Sequence, residues 1–220
     1  MICLDIIPLD KPRWICAECG GLPEFIKKGC ARCGAPMENE FCGECSGRVN
    51  ANAFLDGNRS LFVYDGAAKR MIHNFKYARH PEIARGLGEL IKKSGEPFFA
   101  ADYLTYVPLH KSRAAGRGYN QSLLLAGEIS ETTGIPLISP LSRIKNTKPQ
   151  SGLDYLSRAA NIEGAFAINN KHDLTNKTVV IVDDIHTTGA TLNACAELLK
   201  NKGASRVYGF TLAVAVKNAD

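Results

Sequence analysis

The chain has 220 residues, 45% hydrophobic and 22% charged, with a formal net charge of +5. These proportions fit one or two soluble globular domains and exclude pervasive disorder. No apolar stretch approaches the roughly 20 residues that span a bilayer. The start, MICLDIIPLDKPRW, has neither a basic beginning nor a long apolar run, so a cytoplasmic protein without membrane insertion is expected.

Seven of the eight cysteines fall in the first 45 residues, and six of them form the pairs Cys16/Cys19, Cys30/Cys33 and Cys42/Cys45. A CxxC turn lets two thiolates converge on one tetrahedral Zn²⁺. Disulfides are the alternative, but a chain without an export signal favours metal. Cys30, Cys33, Cys42 and Cys45 are expected to form one four-thiolate zinc site, since both pairs are complete and only eight residues separate them. Cys3, Cys16 and Cys19 leave a second, degenerate site one ligand short, because Ile6 stands where a further cysteine would complete a pair. Composition changes near residue 50, which predicts a cysteine-rich ribbon over 1–50, folded by its metal, and a second domain over 51–220.

From about Ser60 the pattern alternates strands and helices. The spacing predicts a strand over Leu61–Tyr64 and a helix over Gly66–Tyr77 with Met71, Ile72 and Phe75 on one face. A second helix follows over Glu82–Lys93, with Ile83, Leu87, Leu90 and Ile91 aligned. Tyr103–Leu109 reads as a buried strand, Asn120–Thr133 as an amphipathic helix closed by Gly134, and Thr178–Val182 as an apolar strand. Thr191–Lys202 reads as a helix stopped by Gly203, with Cys195 a small core residue on it, and Val207–Val214 as a last strand. Such alternation argues for an α/β domain built on a mainly parallel sheet.

Open parallel sheets bind ligands beyond the carboxyl ends of their strands. Here Val179–Val182 delivers Asp183 and Asp184 to that edge, and Thr187, Thr188, Gly189, Ala190 and Thr191 turn into the next helix. Small and hydroxyl residues at a helix N-terminus suit a phosphate. Two acids beside it suit ribose hydroxyls, or a Mg²⁺ bridging ribose and pyrophosphate. Together they describe a phosphoribosyl group. A basic surplus between Tyr106 and Arg158, seven Lys and Arg against three acids, points to phosphates as well.

VVIVDDIHTTGAT, residues 179–191, resembles the 5-phosphoribosyl-1-pyrophosphate (PRPP) signature of type I phosphoribosyltransferases, in which paired acids bind the ribose hydroxyls and the Thr/Gly turn binds the 5′-phosphate. His186 departs from it where an aliphatic residue is usual, and either packs locally or contacts the ligand. VPLHKSR (107–113), RGYNQ (117–121), the set Arg143, Thr147, Gln150, Ser157, Arg158, Asn161 and Phe166, the cysteine ribbons and Phe75-Lys76-Tyr77 resemble the ComF/GntX family over nearly the whole chain.

The resemblance implies a type I phosphoribosyltransferase-like fold with an N-terminal zinc ribbon, PRPP and Mg²⁺ as ligands, and pyrophosphate held by Lys111 and Arg113. Catalysis would centre on Asp183 and Asp184. Residues 145–159 read as a basic lid, with Arg117, Gln150 and Arg158 in lid or phosphate contact. Asn120 and Gln121 either cap a helix or contact the ligand, and Lys76 either lies near the site or, as the preferred reading, is exposed to solvent. The reaction implied is transfer of phosphoribose to a nitrogen acceptor. The family is also associated with DNA uptake, so a non-catalytic component that binds single-stranded DNA, senses PRPP or joins DNA-uptake proteins is the alternative. No base-binding motif is legible, and neither is an oligomeric state.

Overall fold

The computed structural model describes residues 23–38, 41–46, 54–77, 81, 83–94, 100–147 and 160–216. Cys3, Cys16, Cys19, Gln150 and Arg158, with most of the expected lid, lie outside the described residues.

The chain runs through α1 (Gly43–Ser46), β1 (Gly57–Val63), α2 (Gly66–Tyr77), α3 (Ile83–Ser94), β2 (Tyr103–Tyr106), α4 (Lys111–Arg117) and α5 (Gln121–Thr133). It continues through β3 (Leu141–Arg143), β4 (Phe166–Ile168), β5 (Thr178–His186), α6 (Ala190–Asn201) and β6 (Arg206–Val214). Four strands form one sheet in the order β1-β6-β5-β2, with every neighbouring pair parallel. β3 and β4 form a separate antiparallel pair, which the sequence pattern did not reveal.

The sheet is covered on both faces. Val180 and Val182 of β5 join one core with Phe75, Leu87, Leu125 and Phe210, whereas Val179 and Ile181 join another with Leu192, Cys195 and Leu199. Alternate side chains on a strand point to opposite faces, so a strand buried on both sides reads as an unbroken apolar run. α2 buries Ala68, Met71, Ile72 and Phe75, spaced as one helical face requires.

Three boundaries differ from expectation. β1 begins at Gly57, through the polar Asn58 and Ser60, which are buried because they bond to each other and to Thr211. β2 ends at Tyr106 rather than Leu109, and the short helix α4 follows, N-capped by the His110 side chain. β5 runs past Val182 to His186, held by β6 pairing as far as Val214.

The cysteine segment packs on β1. Ile26 N–H donates to Leu61 O at 2.8 Å, and Asn58 N–H to Ala31 O at 3.3 Å. The Asn58 side chain donates to Cys33 O at 3.0 Å, and Phe25 lies on Phe62 with ring centroids 5.1 Å apart. A Cβ on Gly57 would stand 2.5 Å from Ala31 O, so glycine permits this close approach.

Candidate functional site

β5 and β2 lie side by side, and their carboxyl ends open into one cleft of about 700 Å³. Its walls include Asp183, Asp184, Thr187, Gly189, Ala190 and Thr191 from β5 and the turn behind it. Lys69, His73 and Lys76 come from α2, Arg113 and Arg117 from α4, and Arg143 from β3. Gly189 has φ 78°, a left-handed conformation that glycine adopts without strain, and its carbonyl opens α6 by accepting from Asn193 N–H at 2.8 Å. The expected strand, acid pair and turn are therefore contiguous around one opening. Thr188 lies outside the cleft wall, and its hydroxyl accepts from Ala190 N–H at 3.4 Å.

The acid pair is held from three sides. Asp183 Oδ1 accepts from Ser122 Oγ and from Asp184 N–H, each at 2.9 Å. Ser122 is fixed by Asn120, whose side chain caps α5 at Ser122 N–H and donates to Val107 O at 3.1 Å. Asn120 is thus a capping residue. Burial and the Asp184 carboxylate push the Asp183 pKa up to about 7, while Lys76 opposes the rise.

Lys76 corrects the expectation of solvent exposure. Its ammonium lies 2.8 Å from Asp184 Oδ1, with the two side chains only 20% and 13% exposed. Burial would lower its pKa, but Asp184 and then Asp183 raise it above the usual value, so it remains charged. The neighbouring main chain is tied down: Tyr119 Oη donates to Phe75 O at 2.5 Å, and Gln121 Nε2 to Lys76 O at 3.5 Å.

Arg113 and Arg143 both donate to Thr147, one to its carbonyl and one to its hydroxyl. Burial, then the nearby Arg113 charge, lowers the Arg143 pKa. Two half-buried guanidinium groups this close suit an anion between them. Lys111, expected beside Arg113, is exposed and outside the cleft wall. Arg117 donates to Gln121 Oε1 at 2.7 Å and lies 5.3 Å from the Tyr77 ring centroid. Sequence reasoning missed Ser122, and matched Arg143 to a pattern without placing it in the site. The signal for α2 was present, since Lys69, His73 and Lys76 share a face flanking the apolar one.

His186 lines the cleft but is only 3% exposed, and among the described residues neither ring nitrogen has a hydrogen-bond partner. Burial lowers its pKa to about 4, so the ring is neutral.

At the other end of β1, the sulfur atoms of Cys30, Cys33, Cys42 and Cys45 all lie within 4.8 Å of one another. The Cys33–Cys42 separation of 3.7 Å matches the edge, about 3.8 Å, of a tetrahedron with metal–sulfur bonds of about 2.3 Å. A disulfide would need about 2.0 Å. Burial raises the Cys33 and Cys45 thiols, Cys45 to about 12. Cys30 is raised by burial but brought down to about 7 by main-chain N–H groups of Cys33, Cys42 and Arg32. This donor set could hold a metal ion, which would displace the thiol protons.

The phosphoribosyl transferase domain family matches residues 107–219. Competence protein F of Haemophilus influenzae is 28% identical over 91% of this chain and 96% of its own length. Competence protein ComFC of Bacillus subtilis is 30% identical over 90% and 83%, and the DNA utilization protein YhgH of Escherichia coli K12 is 30% identical over 94% and 93%. Among solved structures, an adenine phosphoribosyltransferase aligns over 64% of this chain and 74% of its own at 17% identity and a TM-score of 0.40, too loose to add weight. Among the described residues no helix is long and apolar enough to cross a membrane. With the domain matched over half the chain and relatives aligned over nearly all of it, the chain belongs to the ComF/GntX family of type I phosphoribosyltransferase-like proteins.

Proposed function

We propose that the cleft binds PRPP and that the protein transfers its phosphoribosyl group to a nitrogen acceptor, releasing pyrophosphate. One observation carries this reading: the Asp183–Asp184 pair and Thr187, Gly189, Ala190 and Thr191 at the start of α6 line the same cleft. The acids accept hydrogen bonds from the ribose hydroxyls, and the turn with the α6 N-terminus holds the 5′-phosphate. Arg113 and Arg143 hold the pyrophosphate, with Lys111 adding charge from outside the wall. The C1–oxygen bond to pyrophosphate breaks, a C1–nitrogen bond forms, and the acceptor nitrogen gives up its proton to solvent. Positive charge develops on the ribose as the bond breaks, and the neighbouring carboxylates stabilise it. Bound together with PRPP, Mg²⁺ would neutralise charge on the departing pyrophosphate.

The four thiolates are read as a structural zinc site in a ribbon ending near residue 50, with the phosphoribosyltransferase-like domain over 51–220. The names of the relatives support a setting of DNA uptake or utilisation for this activity.

Calorimetric titration of PRPP with Mg²⁺ into wild type and D183N/D184N tests the reading. Wild type is expected to bind, and the double variant to bind about a hundredfold more weakly or not at all, as loss of two charge-assisted hydrogen bonds requires. Failure of wild type to bind, or equal binding by the variant, refutes it. A second reading, non-catalytic binding of single-stranded DNA, is favoured by five cationic side chains in the cleft wall against two acids. Its mark is an affinity that falls steeply with salt, with no pyrophosphate released in a screen of base acceptors.

A further inference from the structure

The pairing of Lys76 with Asp184 bears on what the acid pair can bind. Two adjacent carboxylates at a strand end, beside a phosphate-binding turn, attract a divalent cation on charge alone, and Mg²⁺ is bound through one or two carboxylates plus waters and phosphates. In this chain one oxygen of each carboxylate is already engaged. Asp183 Oδ1 carries two hydrogen bonds, from Ser122 Oγ and Asp184 N–H. Asp184 Oδ1 carries the Lys76 ammonium at 2.8 Å. That ammonium is not a surface charge free to swing aside. It is four-fifths buried on a helix whose Phe75 and Lys76 carbonyls accept from Tyr119 and Gln121. A free metal ion arriving here would meet an ammonium within a few ångströms, a repulsion of several kcal/mol even at an intermediate effective dielectric.

We infer that Lys76 is a tethered cation occupying the place of a metal beside Asp184, so that the acid pair recognises an uncharged vicinal diol and binds no free divalent cation. Lys76 is a positioning residue in this account. It holds the Asp184 carboxylate in place at 2.8 Å, and leaves the outer carboxylate oxygens to accept from hydroxyl groups. Any metal the ligand needs is then brought in on the ligand's own phosphates. The inference deepens the reading of the cleft as a phosphoribosyl site, but its test uses the metal alone and does not depend on PRPP.

The experiment titrates Mn²⁺ into the full chain without PRPP, following free Mn²⁺ by electron paramagnetic resonance, for wild type, K76M, K76M/D184N and D184N. Wild type is expected to show no Mn²⁺ binding that D184N removes. K76M is expected to gain a site about tenfold or more tighter, which K76M/D184N loses again. Circular dichroism and melting confirm that each variant is folded, and K76Q replaces K76M if it is not. Wild-type binding of Mn²⁺ that is as tight as that of K76M and is abolished by D184N overturns the inference. So does a folded neutral variant that gains no Mn²⁺ site. Failure of wild type to bind PRPP, with the Mn²⁺ pattern as expected, overturns the PRPP reading and leaves the role of Lys76 intact.

Discussion

Replacing Asp183 by Asn isolates the cost of keeping a carboxyl at the end of β5. Burial and the Asp184 carboxylate lift its pKa from the usual 3.8 to about 7. A rise of that size corresponds to about 4 kcal/mol by proton linkage. The side chain is only half-buried, so solvent screening reduces the expected change to about 2–3 kcal/mol. The sign follows from where the proton is held more tightly. The folded chain retains it between about pH 4 and pH 7 while the unfolded chain has lost it, so folding stability falls as pH rises through that window. Above it the full cost is present. An amide in place of the carboxylate keeps the Oδ1 acceptor for Ser122 Oγ and Asp184 N–H but never ionises. Urea unfolding of wild type and D183N is therefore expected to coincide near the acid end and diverge upward. D183N should be more stable by about 2–3 kcal/mol at alkaline pH. A difference that stays flat across the window, or shrinks as pH rises, refutes the reasoning.

Two further outcomes are expected. C33S removes one of four converging sulfurs, and zinc affinity is expected to fall by on the order of a thousandfold, given that structural zinc contributes about 10–16 kcal/mol in small ribbons. Competition with a colorimetric chelator reads this directly, and unchanged affinity would remove Cys33 from the site. H186L replaces a buried imidazole with no partner by an apolar side chain, and is expected to raise stability by about 1–2 kcal/mol at neutral pH. Because burial brings the His186 pKa from 6.5 down to about 4, wild type loses stability as pH falls through that interval. Melting curves for H186L should lack that acid loss, and a destabilised H186L would assign the ring a packing or bonding role.

The sheet was legible wherever burial was two-sided. Val179–Val182 is an unbroken apolar run because cores lie on both faces, and α2 shows its periodicity because only one side is buried. The start of β1 was not legible, since Asn58 and Ser60 look like loop residues until Thr211 lies beside them. β3 and β4 are three residues each, too short for a period to emerge, and 22 residues separate them. In the site, Asp183, Asp184 and the turn were readable because they are contiguous in sequence. Ser122 and Lys76 reach them from 61 and 108 residues away, through contacts that only the folded chain creates. Lys76 in particular looked like any lysine near the end of a surface helix. Nothing local distinguishes a solvated ammonium from one that ends against a carboxylate.

β1 stands at one end of the strand order, and the segment carrying Cys30 and Cys33 lies against it, bonded at Leu61 and Asn58. An uncovered strand at a sheet boundary is a template on which another chain can build. The cysteine cluster is therefore expected to bear on colloidal behaviour as well as on local folding. While it is intact, the last strand is shielded along Asn58 to Leu61. Were chelation or oxidation to open it, the strand would be bared while the rest of the sheet stayed packed from both faces, and self-association is the expected first symptom.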